Sequence, residues 1–195
     1  SSSTPLRGRH ALVTGASSGL GADFARELAA RGAAVTLAAR REDRLRALQR
    51  ELADRHGGAV EVAVVDLTAG GAAERLHRDT EAAGRPVDVL VNNAGYGLYG
   101  EFSKLDWERE RNMLELNVIV PVHLTKLFLP AMLERGFGHV LNVASIGAYQ
   151  PSPLYASYSA AKSFVLHFTE ALSYELRGSG VHATALSPGV VATEF

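Results

Sequence analysis

The sequence predicts an α/β fold, a parallel sheet doubly wound with helices on both faces, and three observations carry that reading. Short apolar runs alternate with longer amphipathic stretches along all 195 residues. The runs are rich in Val, Leu and Ala without strict polar alternation, as strands buried on both faces should be. The stretches carry apolar residues at three- and four-residue spacing with charges opposite, and they close on glycine-bearing segments (RGAA, RHGG, AAGRP, RGFG, RGSG) that stop helices.

The expected strands, in order, are HALVTG, AVTLAA, VEVAVVD, VDVLVNN, GHVLNVAS and VHATALSP. Between them the spacing predicts helices over Leu20–Arg31, Arg41–Arg55, Gly71–Ala83, Asp106–Glu134 and Ser157–Arg177. Strands joined one by one through helices give right-handed crossovers and a parallel sheet. No linker, low-complexity tract or short repeat interrupts the alternation, so one domain over residues 1–195 is expected.

Composition narrows the chemistry. With 47% hydrophobic and 21% charged residues and a net charge of −1, nothing calls for a nucleic-acid or anionic-membrane partner. The chain has no cysteine, which excludes disulfides, thiolate nucleophiles and cysteine-based metal sites. Any redox chemistry must therefore come from a bound cofactor. The seven histidines show no paired ligand spacing, so no metal site is expected. No Gly-x-Ser-x-Gly elbow is present, which argues against a serine hydrolase. The first residues lack a signal-like apolar core, and the apolar stretch Met113–Leu133 is interrupted by Glu115, Pro121, His123, Lys126 and Pro130. A poor membrane span and a cytoplasmic location are the expectations.

In open α/β sheets ligands bind at the carboxyl ends of the strands, and the candidate residues all fall there. After the first strand, Thr14-Gly15-Ala16-Ser17-Ser18-Gly19-Leu20-Gly21 leads straight into a helix. Such a turn lets backbone N–H groups and a helix N-terminus cradle a pyrophosphate. This is the start of a Rossmann-type sheet, with expected strand order 3-2-1-4-5-6. The second strand ends in Ala39, where an NAD site normally has a carboxylate, and Arg40 and Arg41 follow. A 2′-phosphate held by Arg40, with or without Arg41, fits this charge pattern and favours NADP(H) over NAD(H). A solvated basic start to the next helix is the alternative.

Asp66, ending the third strand, is placed either to accept from an adenine amine or to cap the following helix. Asn92-Asn93-Ala94-Gly95 ends the fourth strand, where amides can satisfy a turning backbone and the glycine brings it close to a ligand. Tyr158 and Lys162 stand at i, i+4 on one helix, so phenol and ammonium share a face. Lowering the phenol by about three units takes about 4 kcal/mol, which the lysine and a cationic nicotinamide ring could supply. Ser145, ending the fifth strand, either holds a substrate oxygen beside the phenol or caps a loop. Asn117 sits among apolar neighbours, satisfying a carbonyl where the helix deforms before Pro121, or positioning a water, or both. Pro188-Gly189-Val190-Val191-Ala192-Thr193 offers a turn for a carboxamide. Tyr96, Tyr149, Gln150 and Tyr155 follow strand ends as pocket lining or as surface packing.

Together these residues resemble the short-chain dehydrogenase/reductase family, in its short single-domain branch, over nearly the whole chain. The resemblance implies Tyr158 as general acid and base and Lys162 as the group that lowers its pKa and holds the nicotinamide ribose. It implies Ser145 as the substrate-oxygen partner and Asn117 as holder of a water linking Lys162 to solvent. Gly15, Ser17, Ser18, Gly19, Leu20 and Gly21 would line the pyrophosphate and ribose, and Asp66 and Leu67 would meet the adenine. Asn93, Ala94 and Gly95 would meet the adjoining ribose, and Pro188, Gly189, Val191 and Thr193 the nicotinamide. Ser18 stands where some NADP members carry a second basic residue, which leaves Arg40 as the main determinant. The family's chains continue well beyond Thr193, so the lid and last strand are expected to be missing here. The implied function is a carbonyl reductase or alcohol dehydrogenase, and the implied assembly a homodimer or homotetramer paired through the long helices. A catalytically silent NADP-binding sensor or scaffold is the rival reading, and a sugar epimerase is disfavoured by length.

Overall fold

The computed structural model describes residues 5–81 and 83–189. Six strands, β1 (His10–Thr14), β2 (Ala34–Ala39), β3 (Val60–Val64), β4 (Val89–Asn92), β5 (Gly138–Val143) and β6 (Val181–Leu186), form one sheet in the order β3-β2-β1-β4-β5-β6. Every neighbouring pair is parallel, as the alternation of strands and helices predicts. Successive side chains of a strand leave on opposite faces, and β1 shows this directly. Ala11 and Val13 pack with α1 (Gly19–Ala30) and α2 (Glu42–His56), whereas Leu12 packs with α3 (Ala72–Asp79), α5 (Val120–Arg135) and α6 (Ala156–Glu175). Both faces of the central strands are thus covered, whereas the edge strands correct the expectation of full burial: Glu61 and Val64 of β3 and His182, Thr184 and Leu186 of β6 are exposed, because an edge strand has fewer helices over it.

Two helices differ from expectation. The third is shorter than residues 71–83, because Thr80 ends it: its hydroxyl donates to the Leu76 carbonyl at 2.8 Å, taking the acceptor that continued helix would use. The long fourth helix is three pieces, α4 (Trp107–Leu114), a π turn (Glu115–Ile119) and α5. Pro121 has no N–H to offer the Asn117 carbonyl, so the regular ladder fails there. By length and composition the run Trp107–Arg135 could cross a membrane, against the reading of its polar interruptions. In this fold Leu124, Phe128 and Met132 are fully buried against the sheet.

The first crossover depends on one close approach. A Cβ on Gly21 would lie 2.1 Å from the Gly15 carbonyl oxygen and 2.5 Å from the Asn93 amide. The turn and α1 could then not pack as they do. Gly21→Ala is expected to cost about 1–3 kcal/mol, read as a lower urea midpoint with an unchanged slope.

Candidate active site

Parallel strands open their carboxyl ends on one side, and there lies a cleft of about 1080 Å³, at the upper end of ligand-site volumes. One end is lined by Gly15, Ser17, Ser18, Gly19, Leu20, Arg40, Arg41, Asp66 and Leu67, and the middle by Asn93, Ala94 and Gly95. Asn117, Ser145, Tyr158, Lys162, Pro188 and Gly189 line the other end. Gly21 is not among the residues lining the cleft; its close approach to Gly15 packs the turn, and its N–H is one of the first amides of α1. Val191 and Thr193 lie outside the described residues.

The phosphate cradle is built from two strand ends. Gly15 and Gly19 hold φ of 64° and 54°, conformations that L side chains adopt with strain. Ser18 precedes α1 with no side-chain cap bond, so its own hydroxyl leaves the helix's first amides free to meet an anion. Thr14 ties the turn to β4. Its hydroxyl donates to the Val91 carbonyl at 3.2 Å and accepts from the Asn93 and Ala94 N–H groups at 3.0 Å each. The Asn93 amide donates back to the carbonyls of Thr14 and Gly15, the backbone role its position suggested.

At the basic end, Arg41 folds over the cradle and donates to the hydroxyls of Ser17 and Ser18, the latter at 2.7 Å. Arg40 is exposed at the end of β2 and faces Asp66. That carboxyl accepts from the Thr68 hydroxyl and N–H at 2.7 and 3.0 Å. These bonds, with the Arg40 charge, hold it below the ordinary carboxylate range. The helix-capping alternative for Asp66 is not realised, since Gly71 precedes α3.

At the far end, Tyr158 and Ser145 line the cleft together, the serine hydroxyl near enough to pull the phenol down, although 145 leaves β5 and 158 lies on α6. Ser145 also accepts from the Gly147 N–H at 3.1 Å, so it both caps a turn and faces the phenol. Lys162 is 6% exposed. Its ammonium lies 5.9 Å from the Tyr158 ring centre and donates to the Val143 carbonyl at 2.8 Å. Burial pushes this lysine down to about 8. Burial also pushes the Tyr158 phenol up, and the Ser145 hydroxyl only partly offsets that. An ammonium one helical turn away therefore does not by itself make the phenol acidic. The lysine's charge is spent on a carbonyl and stands beside the ring, not at the hydroxyl.

Asn117 does the first of the two things open to it in sequence, satisfying backbone carbonyls where the helix deforms. It lies within the π turn and its amide donates to the carbonyls of Met113 and Tyr96, each at 2.9 Å. Its Oδ1 is buried with no protein partner, an acceptor that costs free energy unless water or a ligand meets it. π turns occur disproportionately at functional sites.

The sequence pattern of the short chain dehydrogenase family matches residues 9–195. The chain belongs to the short-chain dehydrogenase/reductase family. It is 41% identical to a short chain dehydrogenase of Pseudocercospora fijiensis over 97% of this chain and 62% of the relative. An uncharacterized oxidoreductase of Myxococcus xanthus is 42% identical, over 96% of this chain and 74% of the relative. Among solved structures, a short-chain dehydrogenase from Sphingobium yanoikuyae in complex with NADPH superposes with a TM-score of 0.91 at 33% identity. That match covers 95% of this chain and 72% of the solved one. The chain thus spans less than two thirds of the Pseudocercospora fijiensis relative's length.

Sequence reasoning missed one connected feature of this site. Asp66 accepts from Thr68, whose hydroxyl accepts from the Asn112 amide at 3.0 Å. Asn112 Oδ1 accepts from the Tyr96 hydroxyl at 3.0 Å, and the Tyr96 carbonyl accepts from Asn117. A hydrogen-bonded chain therefore joins the two ends of the cleft. Asn112 sits on the polar face of an amphipathic helix, where nothing local distinguishes it from a solvated residue.

Proposed function

We propose that the chain is an oxidoreductase that transfers a hydride between NADP(H) and a carbonyl or alcohol substrate. The observation that carries this is the meeting of Ser145, Tyr158 and Lys162 at one end of a cleft whose other end is an uncapped helix N-terminus under two arginines. The residues fit such a cofactor: the cradle suits a pyrophosphate, Ala39 leaves no carboxylate to repel a 2′-phosphate, and Asp66 stands ready for an adenine amine. Solved relatives in complex with NADPH or NADP support the same reading.

The cofactor, when bound, supplies or accepts the hydride at its nicotinamide ring. The chain's own residues handle the proton and the oxygen. Ser145 donates to the substrate oxygen and holds it beside Tyr158. In reduction the Tyr158 hydroxyl, protonated at neutral pH, gives its proton to the carbonyl oxygen as negative charge develops there. In oxidation the phenolate takes the alcohol proton. Lys162 would hold the ribose hydroxyls of the bound cofactor, whose positive ring together with the lysine would favour the phenolate against the burial that raises it. Asn117 Oδ1 accepts from a water through which the proton is replaced from solvent. Pro188 and Gly189 form the described part of the turn that packs against the carboxamide. The reading carries with it a cytoplasmic enzyme that pairs with copies of itself through α5 and α6, a state sedimentation would measure.

The cofactor half is tested separately. NADPH is expected to bind far more tightly than NADH. Arg40→Ala and Arg41→Ala are each expected to weaken NADPH by about tenfold to a hundredfold, the loss of a charge-assisted bond, with NADH unchanged. Titration of cofactor fluorescence reads both. Equal affinity for the two cofactors in the unaltered chain would remove the 2′-phosphate argument, and binding without turnover would favour the sensor.

A further inference from the structure

We infer that Tyr99 and Tyr155 form a wall that selects substrates bearing an aromatic ring, and no carboxylate, next to the reacting carbonyl. This rests on the oxidoreductase reading above and names its substrate class. The two rings are 5.1 Å apart and tilted by 55°, and Tyr155 stands 6.0 Å from Tyr158. A ladder of three tyrosines therefore runs from the mouth of the cleft to the reacting hydroxyl. Tyr99 is 64% and Tyr155 39% exposed, an unusual amount of aromatic surface to leave in water at one opening.

The wall is held in place by backbone and not only by side chains. The Gly100 N–H donates to the Leu154 carbonyl at 2.9 Å, joining the two loops at the residues adjacent to the two tyrosines. Leu154 holds φ of 67°, the non-glycine residue with a left-handed backbone among those described. For a branched side chain that conformation is strained, and such strain persists where surrounding structure fixes it. The tyrosine pair is thus pre-set before any substrate arrives.

Charge selects further. The arginines and the carboxylate of the cleft, Arg40, Arg41 and Asp66, all belong to the dinucleotide end. At the catalytic end the described lining carries one ionisable cation, Lys162, and it is committed to the Val143 carbonyl under the floor. A substrate carboxylate placed against the tyrosines would meet the negative ring faces with no uncommitted cation in the described lining at this end, whereas an aryl ring gains offset or edge contacts with both.

The test uses the whole chain saturated with NADP⁺, in which a ketone forms a ternary complex without reacting. Titration calorimetry would measure three probes: acetophenone, butanone and para-acetylbenzoate. Acetophenone is expected to bind about tenfold tighter than either of the others, the size of one aromatic contact. The Tyr99→Ala/Tyr155→Ala double variant is expected to lose that ratio while its NADP⁺ affinity stays the same. The Tyr99→Phe/Tyr155→Phe variant, which keeps the rings, is expected to retain it. Equal binding of the three probes by the unaltered chain overturns the inference without any variant. So does an acetophenone preference that survives loss of both rings. Failure of the unaltered chain to bind NADP⁺ would instead sink the oxidoreductase reading beneath it.

Discussion

Tyr158→Phe is expected to lower kcat/KM for carbonyl reduction by about 10³-fold or more, with the NADPH Kd moving by less than about twofold. The substitution removes one oxygen and leaves the ring, which packs on Gly97 with 3.5 Å between its nearest carbon and a Cβ placed there. Little else should change, because Ser145 keeps its bond from the Gly147 N–H. What is lost is a proton donor at the developing alkoxide, worth about 4 kcal/mol of barrier for a thousandfold effect. The direction of the phenol's shift adds a second expectation. Burial holds Tyr158 above the ordinary phenol value, so the acid form needed for reduction is present throughout the neutral range and reduction should be flat there. Oxidation needs the phenolate, and its rate should climb with pH and level off once the phenol is ionised, at a pH that the bound cofactor and Lys162 bring down. Stopped-flow reduction and oxidation from pH 6 to 10 would separate the limbs. A variant retaining a tenth of the parent rate would remove Tyr158 from the proton path.

Much of this site is legible in sequence because its parts sit at strand ends, and strand ends are marked. Each buried strand is an apolar run, and the polar residues that break it (Asp66, Asn93, Ser145) stand where a parallel sheet must open. The sheet order follows from the Rossmann-type reading of the glycine-rich turn. What was hidden depends on neighbours far apart in the chain. Arg41 reads as the first residue of a charged helix, yet it bonds hydroxyls 23 and 24 residues earlier. Thr14 reads as one more β-branched strand residue, yet it carries the backbone of the β4 turn. Asn92, Asn142 and Thr169 form a buried polar line from β4 through β5 to α6 that no period reveals. The balance of forces on Tyr158 was the hardest to read. Spacing places a lysine one turn away, but the burial of both groups and the pull of the Val143 carbonyl decide their ionisation.

That burial sets the second large effect. Lys162→Met is expected to abolish turnover and also to make the cofactor-free chain more stable at pH 7. Bringing the lysine down from 10.5 to about 8 corresponds to about 3 kcal/mol against the folded ammonium. Below pH 8 both folded and unfolded chains carry the proton, and the penalty is present in full. Between about 8 and 10.5 the unfolded chain binds a proton that the folded chain does not, so the parent's stability rises with pH through that window. Methionine has nearly the same length and no charge to bury. It forfeits the charge-assisted 2.8 Å bond to Val143, about 2 kcal/mol, which leaves a net gain of about 1 kcal/mol and a Tm higher by roughly 2–4 °C for a chain of this size. The gain should shrink as the pH is raised toward 10.5 and should also shrink when NADPH is added, because the ribose hydroxyls then give the parent's ammonium partners that methionine cannot use. Thermal melts of both proteins at pH 7 and pH 10, with and without NADPH, give all four comparisons. A variant less stable than the parent at pH 7 would mean that the ammonium is held there by favourable contacts, and the strain attributed to this lysine would be gone.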